Sequence, residues 1–195
     1  MEIVSYNPGN SDRVLDRIRS RSLQMNPDLI ARVTHIVDSV RSGGDEAVIH
    51  FTEQFDGVTL DPNQLRVDAE FIHEMASRTE PGLLDAFRRA VRNISLFHEQ
   101  QRESGWEIVI EDGARVGQRV LPVASAGLYV PGGRAAYPSS LIMNAVPAQV
   151  AGVRRIAITT PPGTLEQVPV LAAVIAELGI TEVYRVGGAQ AIAAL

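Results

Sequence analysis

The chain has 195 residues, 45% of them hydrophobic and 21% charged, with a formal net charge of -5. That length allows one large domain or two small ones around a real core. The acidic balance offers no general affinity for nucleic acid or an anionic membrane. Cysteine is absent, which excludes disulfides and thiolate metal sites and fits a cytoplasmic protein. All 18 basic residues are arginine, so the chain holds neither a Schiff-base lysine nor a phosphate-loop lysine. No apolar run reaches membrane-spanning length, and MEIVSYNPGNSDR has no apolar signal-peptide core.

In chain order, Ser11 or Asp12 can cap a first helix with Val14, Leu15 and Ile18 on one face. Asn26-Pro27 is an N-cap followed by proline at the first helical position. The helix after it carries Leu29, Ile30, Val33, Ile36, Val37 and Val40 as one apolar stripe. Gly43-Gly44 ends it, and Asp45 opens a further helix with Ala47, Val48 and Phe51 inward. Asp56-Gly57 is a turn, Leu65 to Val67 a short strand, and Asp68 to about Ser77 a helix. Thr79-Glu80-Pro81 starts what reads as the longest helix, to about Glu103, with a stripe of Leu83, Leu84, Phe87, Val91, Ile94 and Phe97. WEIVI and RVGQRV flank Asp112-Gly113, a hairpin signal.

From Leu121 the pattern alternates. A strand from Val123 to Val130 runs into Pro131-Gly132-Gly133, and a helix follows from Ser139 to Ala151, capped by Ser139 or Ser140. A second strand covers Arg154 to Thr160, a second helix Leu165 to Leu178 with Gly179 as its stop, and a third strand Glu182 to Val186. Gly187-Gly188 then opens a third helix. Strands alternating with helices imply a parallel sheet with right-handed crossovers. The fold class is therefore α/β: a mainly helical segment, residues 1–120, ending in a β-hairpin, then half of a doubly wound sheet over residues 121–195. The chain stops at AQAIAAL inside a helical pattern, from which we expect a fragment with open sheet edges.

Ligands of open α/β sheets bind at the carboxyl ends of the strands. Two glycine junctions fall there, but Gly127, Gly132 and Gly133 lack the G-x-G-x-x-G spacing, and Thr159-Thr160 stands where a ribose-binding carboxylate would. These glycines serve either as simple turns or as a ligand cradle. Tyr129 is either a half-buried strand aromatic or a ligand contact, and Gln190 can donate and accept at a helix start. His35, His50, His73 and His98 lie on helices without metal-ligand spacing, so no metal site is legible and no catalytic set can be assembled. The runs Arg13-Arg17-Arg19-Arg21 and Arg88-Arg89-Arg92 read as solvated faces.

PVASAGLYVPGG, the helix after it, the ITTPP strand end and VGGAQAIAAL together resemble histidinol dehydrogenase, and GGDEAVIHFTEQFDG and NISLFHEQQ are similar to that family's N-terminal helices. The resemblance implies an incomplete Rossmann-like domain, which accounts for the failed fingerprint. It implies an oxidoreductase that converts L-histidinol to L-histidine with two NAD⁺ and a zinc ion, the last step of histidine biosynthesis, in a homodimer. Carried over by position, the NAD-contacting residues are Tyr129 of GLYVPGG and Gln190 of GGAQ. The family's zinc ligands, substrate-binding residues and Glu-His acid/base pair fall beyond the last matching block, so the chain alone is expected to be inactive. Two alternatives stay open: a related zinc- and NAD-dependent dehydrogenase of another amino alcohol or hydroxy acid, and a non-catalytic module that binds a nucleotide or pairs with a full-length subunit.

Overall fold

The computed structural model describes residues 15–16, 26–132 and 137–195. The cap of the first expected helix, the arginines at 13, 17, 19 and 21, and Gly133 lie outside the described residues.

Helix α1 spans Pro27–Asp56. The Asn26 side chain accepts the Asp28 N–H at 2.9 Å, which gives an orphan donor of the first turn a partner. As expected, two helices lie here, joined end to end and broken at Gly44 with φ 55° and ψ −137°. Gly57, at φ 69°, ends it with an N–H bond to the Glu53 carbonyl. Of the first expected stripe Ile36 and Val40 are buried while Leu29, Ile30 and Val33 are exposed, and Val48 and Phe51 of the second helix face inward as expected.

The expected strand at Leu65 to Val67 is a single antiparallel bridge, Arg66 to Tyr184. Its bonds run from the Val67 N–H to the Val183 carbonyl and from the Arg185 N–H to the Leu65 carbonyl, both 2.8 Å. Helix α2 is Ala69–Ser77 and α3 is Pro81–Glu99. Helix α3 stops short of Glu103; at 19 residues it is longer than either part of α1, which Gly44 divides. Beyond Phe97 the chain reads His-Glu-Gln-Gln-Arg-Glu, with no apolar side chain to hold another turn against the core. Strands β1 (Trp106–Val109) and β2 (Arg115–Gln118) form the hairpin. Their register pairs Ile108 with Val116 and Glu107 with Gly117. Alternation then puts Trp106, Ile108, Ile110 and Val116 on one face. The other face carries the Arg115–Glu107 ion pair at 2.7 Å.

The second sheet is parallel, in the order β3 (Ser125–Tyr129), β4 (Arg155–Thr160), β5 (Glu182–Arg185). Between β3 and β4 lies α4, Pro138–Val150. Neither Ser139 nor Ser140 caps it; the cap position is Tyr137, because Pro138 has the φ of a first helical residue and starts the helix earlier. The helix expected from Leu165 to Leu178 is two pieces, α5 (Thr164–Gln167) and α6 (Pro169–Glu177). They part at Val168, φ −131° and ψ 70°, since a residue before proline is pushed out of helical geometry. Gly179, at φ 67°, follows α6 as expected. After β5 comes α7, Gly188–Ala194.

Two cores sandwich this sheet. On one face Leu128, Val130, Ile156, Ile158 and Val183 meet α2, α3, α4 and α6 through Ile72, Val91, Ile142 and Leu171. On the other, Tyr129, Tyr184 and Val186 meet α1 and α7 through Val48, Phe51 and Ala191. Helices from residues 1–120 thus cover both faces of the strands from 121–195. The molecule is α/β, with a helical N-terminal part, a small hairpin and an incomplete Rossmann-like sheet.

Candidate functional site

Because β3, β4 and β5 are parallel, the segments that leave them all emerge at one rim. They are Val130-Pro131-Gly132, Pro161-Pro162-Gly163 and Val186-Gly187-Gly188. The three are packed against one another. A Cβ built on Gly132 would collide with Thr164 Oγ1, and one on Gly187 would come within 2.7 Å of Pro161 Cγ. Gly188 has φ 65°, and a Cβ there would lie 2.7 Å from Gln190 Oε1. The rim therefore needs glycine for close approach of backbone at two positions and for a left-handed residue at the third.

Gln190 sits in the first turn of α7 and is 0% exposed. Its Oε1 and Nε2 both lack hydrogen-bond partners among the described residues. Thr159 and Thr160, 3% and 1% exposed, end β4 at the same rim, and their hydroxyls are also without partners. An unsatisfied buried polar group costs about 1–3 kcal/mol. Several such groups lie together at this rim, and each calls for an explanation. Tyr129 ends β3, opposite Thr159 in the register. It is half-buried and packs in the cluster that holds Val186, Ala189 and Ala191 of the β5–α7 junction. Both residues singled out from sequence thus lie at the carboxyl rim, one as the last residue of β3 and one in the helix after β5.

Sequence reasoning took Thr159 and Thr160 only as a missing carboxylate. The usable signal was polar residues closing an apolar strand immediately before Pro-Pro-Gly. Arg185, the last residue of β5, lies with its guanidinium carbon 4.4 Å from the centre of the Phe71 ring, and its buried Nε has no partner among the described residues. A cavity of about 350 Å³ opens on the α1/α7 face, over Gly127, Ala157 and Thr159, with Arg66, Asp45 and Leu195 at its border. Tyr129 and Gln190 are not in its lining.

At the opposite, amino end of the sheet, Arg155 makes paired bonds of 2.9 Å to the Glu182 carboxylate. Those bonds hold the Glu182 carboxyl below its usual range. His35, His50 and His73 are exposed on their helices, and the His98 Nδ1 is 2.6 Å from Gln101 Oε1. Among the described residues no group of three His, Asp or Glu side chains is placed to hold a metal ion, and no helix is long and apolar enough to cross a membrane.

The family model for histidinol dehydrogenase matches residues 19–195. The chain is 50% identical over 165 residues to the histidinol dehydrogenase of Geobacillus kaustophilus, which covers 84% of this chain and 38% of that protein. It is 46% identical over 196 residues to that of Methanothermobacter thermautotrophicus, covering 100% of this chain and 45% of the relative. A crystal structure of histidinol dehydrogenase from Elizabethkingia anophelis superposes with a TM-score of 0.79 at 31% identity, over 88% of this chain and 40% of that one. The chain spans less than half the length of the curated relatives it matches. It therefore belongs to the histidinol dehydrogenase family and corresponds to the N-terminal portion of such an enzyme.

Proposed function

We propose that this chain supplies the NAD-binding rim of a homodimeric cytoplasmic enzyme that oxidises L-histidinol to L-histidine. The observation that carries the reading is the Gln190 carboxamide, wholly buried and without a partner beside the Gly187-Gly188 junction. A dinucleotide, rich in donors and acceptors, fits that need. NAD⁺, when bound, supplies the hydride acceptor.

The roles of this chain's residues are binding and orientation. Gln190 donates from Nε2 and accepts at Oε1, which fixes the ligand's rotation as well as its position. Tyr129 presents a flat half-buried face and a hydroxyl, and packs one side of the ligand while keeping water from it. The Thr159 and Thr160 hydroxyls each offer one donor and two acceptor sites at the neighbouring strand end. Zinc does not fit the described residues, which hold no ligand cluster. We place the metal, the acid/base pair and the substrate contacts in the part of the family's length that this chain does not span.

Calorimetric titration with NAD⁺ tests the reading. The 195-residue chain is expected to bind NAD⁺, and Gln190→Leu to lose at least about tenfold in affinity, the value of one charge-free hydrogen-bonding group left unpaired. Equal affinity in both would overturn it. The same chain is expected to produce no NADH from histidinol above a no-protein control, and turnover would refute the placement of the catalytic groups elsewhere.

A further inference from the structure

Thr159 and Thr160 are neighbours in sequence, but alternation along a strand sends their side chains to opposite faces of the sheet. The pairing register identifies the two rows. Tyr129, Thr159 and Tyr184 are aligned. Both tyrosines pack in the cluster beneath α1 and α7, the side on which α7 carries Gln190. Thr160 is aligned with Arg185. Two residues earlier in the same strands, Ile158 and Val183 belong to the core beneath α2, α3, α4 and α6. Thr160 and Arg185 therefore point to that second face, and the contact of Arg185 with Phe71 of α2 agrees.

The rim thus has a second polar group, on the face away from Gln190. Thr160 is buried with its hydroxyl unpartnered. The Arg185 Nε is buried without a partner, and among the described residues no carboxylate stands within ion-pairing distance of the guanidinium. The residue as a whole is half-buried, so it is anchored in the fold and still meets the outside. The Phe71 ring attracts the cation but leaves its N–H donors unused. A guanidinium with free donors is the group best shaped to grip the oxygens of a phosphate.

The position in the sheet indicates which phosphate. In doubly wound dinucleotide sheets a carboxylate near the end of the second strand bonds the adenine ribose 2′-hydroxyl, and an arginine nearby accommodates a 2′-phosphate instead. Strand β4 is the second strand of this sheet and ends in Thr160. A carboxylate in that place would repel a phosphate, whereas a hydroxyl is neutral and can donate to one. The diphosphate bridge of a dinucleotide belongs at the turn after the first strand. That turn follows β3, and β4 separates it from Arg185, so the bridge is not the group that meets this arginine.

We propose that Arg185, with Thr160 beside it, sets cofactor specificity by receiving the 2′-phosphate of NADP⁺, so that the rim binds NADP⁺ at least as tightly as NAD⁺. The proposal rests on the reading of this rim as a dinucleotide site. Calorimetric titrations of the 195-residue chain with each cofactor test it. Arg185→Gln is expected to lower the ratio of NADP⁺ to NAD⁺ affinity at least about tenfold, the scale of one charged hydrogen bond. Salt supplies a check on the unaltered chain, which decides if that variant does not fold. Pairing with Arg185 makes added salt weaken NADP⁺ more than NAD⁺. The chain's net charge of -5, acting alone, would make salt favour the more anionic cofactor, and that result overturns the proposal. NADP⁺ bound more weakly than NAD⁺, or an unchanged ratio in folded Arg185→Gln, overturns it and leaves the dinucleotide reading standing. Binding of neither cofactor overturns both.

Discussion

Gln190 is held in a costly state. Its carboxamide is buried with both polar atoms unpaired, although an exposed glutamine on the same helix would cost nothing. Replacing it with leucine removes the polar group and keeps much of the volume. We expect Gln190→Leu to leave the unfolding free energy unchanged or to raise it by about 1 kcal/mol, measured by urea denaturation. A stability loss instead would mean that the amide serves the fold through a partner. Residues that serve a site against the interest of stability have this signature, whereas purely structural ones lose on both counts.

What was legible at this scale was local chemistry. Asn26-Pro27, Gly57 and Gly179 act where their side chains or backbone preferences require, and each could be read from a few neighbouring letters. The burial of Thr159, Thr160 and Gln190 could not. Whether a hydroxyl or amide finds a partner depends on elements far apart in sequence, and periodicity carries no trace of it.

At the scale of elements, α1 depends on one backbone outlier. Gly44 adopts φ 55° and ψ −137°, a region nearly closed to other residues, and a Cβ there would meet nothing within 4 Å. The cost of replacing it is therefore backbone strain alone. Gly44→Ala is expected to destabilise by about 1–3 kcal/mol in chemical denaturation. An unaffected midpoint would show that the break relaxes into a straight helix.

The amino ends of β4 and β5 are tied by Arg155 and Glu182. The Glu182 carboxyl titrates below its ordinary value of 4.5 when folded, because Arg155 bonds its charged form. A depressed carboxylate stabilises the fold fully above the unfolded value, and that contribution is lost as pH falls through the lower folded value. Melting curves of wild type and Glu182→Gln should differ above about pH 4.5 and converge as acid protonates the carboxylate. Curves separated by the same interval at every pH would refute the linkage.

Element boundaries were misread wherever a distant partner or a proline decided them. The apolar pattern from Leu165 to Leu178 runs through Pro169 without a gap, yet Val168 turns out of the helix. Leu65 to Val67 was read as a short strand, but its partner, β5, comes more than a hundred positions later, and only one bridge forms. Stripes on α1 and α3 read as evenly apolar, while Leu29, Ile30, Leu83 and Phe97 remain exposed. A stripe shows what can be buried, not what covers it.

For the whole molecule, the hairpin stands apart from both cores. Its apolar face, built on Trp106, Ile108, Ile110 and Val116, is exposed, and a two-stranded ribbon alone is marginal in water. Trp106 is the chain's single tryptophan and is 55% exposed. Its fluorescence should be red-shifted and quenched by acrylamide almost as readily as free tryptophan. A blue-shifted, protected signal from the monomer would contradict the exposed ribbon.

The contact between α1 and α7 joins nearly the first described element to the last. During synthesis, Val48 and Phe51 leave the ribosome long before Val186 and Ala191 exist to cover them. That face of the sheet cannot close until translation has passed the Gly187-Gly188 junction. A nascent chain paused earlier presents a greasy helix to chaperones, so a stall just upstream of this point is the moment of greatest exposure to misassembly.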